Sequence, residues 1–317
     1  MRYSKEIREI LKDSGQTYFF LLKIMIPISI IVKILEEHGG IEIIGRYLGP
    51  MMGTIGLPGE FGLVFATAMI VNIYGALIVF FTLSLSYTYT VAQVTILASM
   101  MLIAHTLPIE ARIAQKAGVR LWFTLALRII SAFFFAIILN FIFTFFNLFE
   151  EKNILIWMPE TIDPSFTSWV IGQISYYLMI LLIILSLMTL MKILKTTGYI
   201  DKINNFLKPA IEFLGMNKNA AILPVIGMTL GLAYGGGLIV KEAKGKLISK
   251  KDAFLSLSFM GLSHSLIEDT ILTLSIGASI FAILFGRIFF TILILFFIVK
   301  FVNILSKKTF EKYFMNY

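Results

Sequence analysis

Two short stretches hold residues able to do chemistry within an otherwise apolar chain. MGLSHSLIEDTILTL, residues 260 to 274, carries Ser263, His264, Ser265, Glu268 and Asp269, and LIAHTLPIEARI, residues 102 to 113, carries His105, Thr106 and Glu110. His264 and Glu268 are four apart, so a helix running through them would present both on one face. Glu268 and Asp269 are neighbours, and in a low dielectric two adjacent carboxylates do not both ionise readily, so one is expected to hold a proton near neutral pH. Proton carriage is one use of such a set. Cation binding is another, since imidazole, carboxylate and freed backbone carbonyls are all nitrogen or oxygen ligands.

Enzymatic uses find no support. The chain has no HExxH, no GxSxG and no phosphate loop, and its one Ser-His-Ser run is local sequence rather than an assembled triad. With no cysteine at all, disulfides, thiolate metal sites and cysteine nucleophiles are excluded together. Neither an enzymatic activity nor a cofactor nor a metal centre is assigned from these motifs.

The elements that hold these residues follow from composition. Of 317 residues 58% are hydrophobic and only 15% charged, with 29 phenylalanines and a mean hydropathy of +0.88, values outside the range of soluble domains. Several stretches approach the roughly 20 apolar residues that a helix needs to cross a bilayer, and none shows the alternation of a barrel strand. An all-α integral membrane protein is expected. MRYSKEIREILKDSG, residues 1 to 15, reads as a basic amphipathic lead-in that is retained, because no small-residue cleavage site follows the apolar run. The net charge of +8 is a matter of topology rather than of nucleic-acid binding.

The sequence also matches itself at an offset of 159. VKILEEHGGIEIIGRYLGP from Val32 aligns with MKILKTTGYIDKINNFLKP from Met191, and the same shift pairs His105 with His264, Glu110 with Asp269, and Arg128 with Arg287. A one-residue slip sets NIYGAL (Asn72 to Leu77) opposite LAYGGGL (Leu232 to Leu238). Matched Gly, Pro, His and Arg are hard to obtain by chance, so two related halves are expected, 1–159 and 160–317.

Charge then orients the halves. If the apolar runs around 61–84 and 220–240 each crossed the membrane, the basic segments 192–218 and 241–251 would lie on opposite sides, against the positive-inside rule. If each is a re-entrant hairpin, turning at NIYG and at GLAYGGG, then 21 of the 27 Lys and Arg residues collect on one side. The glycines suit tight turns at membrane depth. The expectation is six transmembrane helices, near 17–37, 91–115, 119–146, 168–192, 252–275 and 279–304, plus two re-entrant hairpins in an inverted-topology repeat. Both termini would be cytoplasmic, and the protein would sit as a multi-pass chain in the cell (inner) membrane.

A span starting at Asp252 reaches Gly261 after about 14 Å, so GLSHS falls near mid-membrane, and LIAHTLP carries a proline that interrupts helical hydrogen bonding. Both spans are expected to break. Ionisable groups at that depth mark a solute or proton pathway. Arg128 and Arg287 are expected to pair with Glu110 and Asp269, and Tyr74 and Tyr234 to flank the hairpin turns.

In the first half, a span, an amphipathic helix, LPG at Leu57 to Gly59, the Asn/Gly tip NIYGA and the broken helix MMLIAHTLPIEARI resemble the nucleoside recognition or Gate domain, and the likeness covers nearly the whole chain, once per half. That domain occurs in spore maturation membrane proteins, in many uncharacterised membrane proteins and in the membrane part of ferrous-iron transporters. A more distant similarity is to the hairpin-containing core of concentrative nucleoside transporters. The resemblance implies a solute site lined by the tip residues Asn72, Tyr74, Gly75, Tyr234, Gly235 and Gly236. The break residues His105, Thr106, Ser263, His264, Ser265 and Glu268 complete it. Separately, as carboxylates at membrane depth, Glu268, Asp269 and Glu110 are expected to be the proton- or cation-coupling groups. Iron is not implied, because the cysteines and GTPase domain of the iron members have no counterpart here. The functional expectation is a secondary transporter or permease of a small solute (nucleoside-like, cation or organic anion), working by alternating access. A non-transporting scaffold like the spore maturation proteins is the alternative. The expected partners are membrane lipid, the solute or ion and, within an open oligomeric state, further copies of the chain.

Overall fold

The computed structural model describes residues 2–155, 165–203, 205, 209, 222–230, 240–241 and 248–316. The first half comprises α1 (Arg2–Glu37), α2 (Gly40–Gly53), α3 (Phe61–Ile70), α4 (Ile73–Ser86), α5 (Val91–Ala104), α6 (Leu107–Lys116) and α7 (Leu121–Phe146). The second half comprises α8 (Phe166–Thr196), α9 (Ile222–Leu230), α10 (Lys250–Leu262), α11 (Glu268–Leu274), α12 (Phe281–Ile304) and α13 (Lys307–Phe314). α1 runs unbroken from the basic lead-in to Glu37.

Among the described residues, five stretches are long and apolar enough to cross a bilayer: Arg8–Glu37, Val91–Lys116, α7, α8 and α12. They coincide with five of the six expected spans. The sixth, 252–275, is divided into α10 and α11, of 13 and 7 residues, neither of which alone reaches the roughly 20 residues of a span. Phenylalanines and isoleucines of α1, α7, α8 and α12, such as Phe20, Ile30, Phe141 and Phe289, remain exposed, an apolar exterior of the kind lipid covers. α4 and α5 are apolar on every side and accordingly buried on every side, residues 75–83 and 94–104 without exception. α8 closes over them from the second half. Its Tyr177 hydroxyl meets Ser29 of α1 at 2.5 Å, and its Tyr176 ring stacks on Phe81 at 4.8 Å.

The two ends of the bundle can be told apart by their polar contacts. At one end Ser86, the last residue of α4, and Tyr87, just after it, donate to Glu36 and Glu42 at 3.1 and 3.5 Å, and Tyr89 donates to Glu60, just before α3, at 3.5 Å. The chain therefore enters α3 and leaves α4 at the same end. At the other end the Arg120 amide donates to the Phe314 carbonyl at 2.9 Å, the Asn316 amide to Gly118 at 2.6 Å, and Lys250 pairs with Glu311 at 2.8 Å.

Element limits recur at the offset of 159. α1 ends at Glu37 and α8 at Thr196; α5 starts at Val91 and α10 at Lys250. Thr90 and Ser249 cap these two starts, accepting from the amides of Gln93 and Asp252 at 3.2 and 3.0 Å. Positive φ angles fall at Gly39 and Gly198, at Gly118 and Gly277, and at Thr106 and Ser265.

Gly118 (φ +98°) and Gly277 (φ +91°) turn the chain out of α6 and α11. A Cβ at Gly277 would run into the Asn153 side chain, which donates to the Ile276 carbonyl at 2.9 Å, whereas at Gly118 its nearest neighbour would be the flexible Met315 methyl at 3.5 Å. Both alanine variants should lose about 1–3 kcal/mol from left-handed strain, with Gly277→Ala the less stable of the two. Thermal unfolding of the purified variants in detergent checks the order, and equal losses would mean that Asn153 yields without consequence.

Candidate functional site at two helix breaks

α5 stops at Ala104. His105 is extended, Thr106 adopts φ +50°, and α6 resumes at Leu107 with Pro108 in its first turn, where a missing N–H is harmless. α10 stops at Leu262. Ser263 leaves the helix at φ −147°, Ser265 adopts φ +48°, and α11 begins at Glu268. Each break frees backbone carbonyls that an apolar surrounding cannot solvate.

Buried arginines take up those carbonyls. Arg128 of α7, 0% exposed, donates from Nε to the Ile103 carbonyl at 2.7 Å and from Nη2 to His105 at 2.9 Å. Arg287 of α12, also 0% exposed, donates from Nε to Leu262 at 2.9 Å and from Nη2 to His264 at 3.0 Å. A cation at a helix C-terminus also meets the favourable end of the dipole. The break amides are satisfied from the short helices: Thr106 donates to the Ala68 carbonyl of α3 at 2.9 Å, and Leu266 to Met228 of α9 at 2.7 Å. Sequence reasoning assigned the arginines to carboxylates and missed this carbonyl clamp. Its available signal was the constant spacing of 23 residues from His105 to Arg128 and from His264 to Arg287.

The breaks bring the two histidines together. His105 Nε2 and His264 Nε2 lie 3.1 Å apart, with ring centroids at 4.8 Å. His105 Nδ1 is 2.9 Å from the Met101 carbonyl and His264 Nδ1 is 2.8 Å from the Met260 carbonyl. A carbonyl only accepts, so each Nδ1 carries a proton and donates it, and in the neutral rings both Nε2 atoms present lone pairs. Glu110 Oε1 lies 3.1 Å from His264 Nε2 and 3.7 Å from His105 Nε2, and Asp269 Oδ2 lies 3.5 Å from His105 Nε2. Four acceptor atoms thus converge from both halves. The side chains of His105, His264 and Asp269 lie in one buried group whose ligand atoms are all within 4.8 Å of one another.

The two arginine-carboxylate pairs differ. Arg128 Nη1 pairs closely with Glu110 Oε2. Arg287 and Asp269 are electrostatic neighbours without a hydrogen bond between them: Arg287 Nη1 and Asp269 Oδ2 both lack a hydrogen-bond partner among the described residues. Ahead of Arg287 the first turn of α12, Phe281–Gly286, is π-helical, a local widening that recurs at functional sites.

The other expected site residues are dispersed. Asn72 accepts the Gly75 amide at 2.8 Å and so caps α4. Gly75 is buried where a Cβ would come within 2.9 Å of Ile28. Tyr74 donates to Glu268 at 3.2 Å, tying the start of α4 to the start of α11. Glu268, Thr106 and Ser265 are half-buried, and the Ser263 hydroxyl is buried without a partner among the described residues. Since the break lies between His264 and Glu268, their four-residue spacing does not put them on one helical face. Tyr234, Gly235 and Gly236 lie outside the described residues.

The chain is 30% identical over 281 residues, 86% of its length and 87% of the relative's, to the uncharacterized membrane protein YvoD of Bacillus subtilis (strain 168). No family model and no solved structure matches it.

Removing Arg128 leaves the buried Glu110 charge without its partner, a change that costs about 3–5 kcal/mol. Removing Arg287 forfeits two carbonyl hydrogen bonds, at about 1–3 kcal/mol for the groups left unsatisfied. Arg128→Gln should therefore unfold at a lower temperature than Arg287→Gln in detergent, and the reverse order would show that Glu110 does not depend on Arg128.

Proposed function

We propose, from the premise that the chain belongs to the membrane-protein family of YvoD, that it is a secondary transporter or permease for a small solute. Residues 1–159 and 160–317 act as Gate-like repeats of inverted topology, each with one re-entrant hairpin, and the solute site lies between the two helix breaks. Both termini face the cytoplasm of a cell whose inner membrane holds the protein. The observation that carries this reading is the buried contact between His105 and His264, 3.1 Å apart and supplied by breaks in different halves. A site shared by two halves changes whenever they move against each other, which alternating access requires. Four acceptors held in an apolar interior favour a cation or a proton at that point.

The coupling step is assigned to Glu268 and Asp269. Glu268 takes the Tyr74 hydroxyl at 3.2 Å from the start of α4, so its protonation state bears on how α4 meets α11. Asp269 faces His105 at 3.5 Å, so its own state bears on the contact between halves. No element of this machinery is a hydrolytic constellation, and the protein is proposed not to be an enzyme.

In proteoliposomes, Glu268→Gln combined with Asp269→Asn should abolish cation- or proton-coupled uptake while the purified protein keeps its elution volume and stays folded. Full coupled flux in that double variant sinks the assignment. Orientation is tested separately, aided by the absence of native cysteine. A single cysteine at Lys152 should react with an impermeant maleimide from outside intact cells, and one at Lys250 only after permeabilisation. Equal labelling of both from one side would overturn the topology.

A further inference from the structure

The sequence motifs alone assigned no metal to the helix breaks. From the geometry there, we infer that His105, His264, Asp269 and Glu110 form a binding site for a divalent first-row cation of the manganese-to-zinc range. An ion holding nitrogen and oxygen ligands at about 2.0–2.2 Å in a tetrahedral arrangement sets them about 3.3–3.6 Å from one another. The separations are 3.1 Å between the two Nε2 atoms, 3.1 Å from His264 Nε2 to Glu110 Oε1, and 3.5 and 3.7 Å from His105 Nε2 to Asp269 Oδ2 and Glu110 Oε1. These four bracket that spacing, and the ligand atoms of His264 and Asp269 lie within 4.8 Å of one another.

The groups behind the ligands fit as well. Metal-binding histidines donate their other ring N–H to a carbonyl or carboxylate, which fixes the tautomer and aims the free nitrogen. Both rings do so, at 2.9 Å to Met101 and 2.8 Å to Met260. The second oxygen of Glu110 is held by Arg128, leaving Oε1 for the ion. Asp269 Oδ2, on a side chain at least nine-tenths buried, has no hydrogen-bond partner among the described residues and points at His105. A single proton on either Nε2 can be donated to one neighbour, to His105 or Glu110 from His264 and to His264 or Asp269 from His105, and leaves the remaining acceptors without a donor. Two imidazoles with two carboxylates favour manganese to zinc over magnesium or calcium, which take all-oxygen sites.

As a cargo or coupling-ion assignment this rests on the transport reading, but binding itself is measured without flux. Calorimetric titration of the full chain in detergent with zinc chloride should give one ion per chain, while magnesium chloride at the same concentration gives no saturable heat. Binding should weaken as pH falls, because protons compete for the histidine nitrogens. Changing an outer-shell partner costs about 10–100-fold in affinity. Loss of two ligands in the His105→Gln, His264→Gln variant should exceed about 100-fold on that scale, whereas His38→Ala, altering the one histidine outside the cluster, changes nothing. X-ray absorption of the zinc-loaded His38→Ala protein should show two imidazole ligands, a readout that survives if the double variant fails to fold. Undiminished affinity in a folded double variant, or a zinc spectrum without two imidazoles, overturns the site. Zinc binding with no flux would retire the transport reading alone; flux without zinc binding would retire the metal alone.

Discussion

A helix broken inside an apolar bundle leaves carbonyls that neither lipid nor aliphatic side chains can satisfy, and a buried guanidinium bound to those carbonyls is what permits the break. Each unsatisfied group would cost about 1–3 kcal/mol, so the breaks at 104–107 and 262–268 stand only because Arg128 and Arg287 donate to Ile103, His105, Leu262 and His264. Everything else at the site follows from that constraint. The break turns each histidine out of its helix direction while its Nδ1 still reaches a carbonyl four residues back, and the two free Nε2 atoms are thereby aimed at each other. The short helices α3 and α9 contribute from the other side, because their last carbonyls receive the amides of Thr106 and Leu266.

Much of this was legible in the sequence, and what was not has a definite cause. Self-similarity at 159 residues placed His105 and His264 at equivalent points, and Pro108 signalled the first break. Their mutual contact was not readable. α5 and α10 are apolar all round, and a helix with no polar stripe carries no mark of which face meets which neighbour. The role of the arginines was hidden for a related reason. Side-chain to carbonyl bonds depend on where a helix ends, and a charge within an apolar run shows only that it must be compensated. The division of 61–84 into two short helices was easier, since the stretch is long enough for a span yet carries Asn72 and Gly75 in its middle, and Asn72 caps α4. Spacing misled once. The four residues between His264 and Glu268 implied a shared helical face, and the break between them gave the position near His105 to Asp269 instead.

The two halves are not identical, and one methylene accounts for part of the difference. Glu110 reaches both Arg128 and His264. Asp269, its counterpart and one methylene shorter, approaches His105 but leaves Arg287 Nη1 without a partner among the described residues. The π-helical turn before Arg287 has no equivalent at the start of α7, which is regular from Leu121. In the proposed transport cycle such asymmetry matters. A carboxylate hydrogen-bonded to its arginine is held in place, whereas one without that hydrogen bond can exchange partners as the halves move. Glu110 with Arg128 then serves as the fixed wall, and Asp269, next to the half-buried Glu268, as the side that responds. A site built with two equally strong pairs would be stiffer and would have less reason to take up a cation, because its carboxylates would already be neutralised from within.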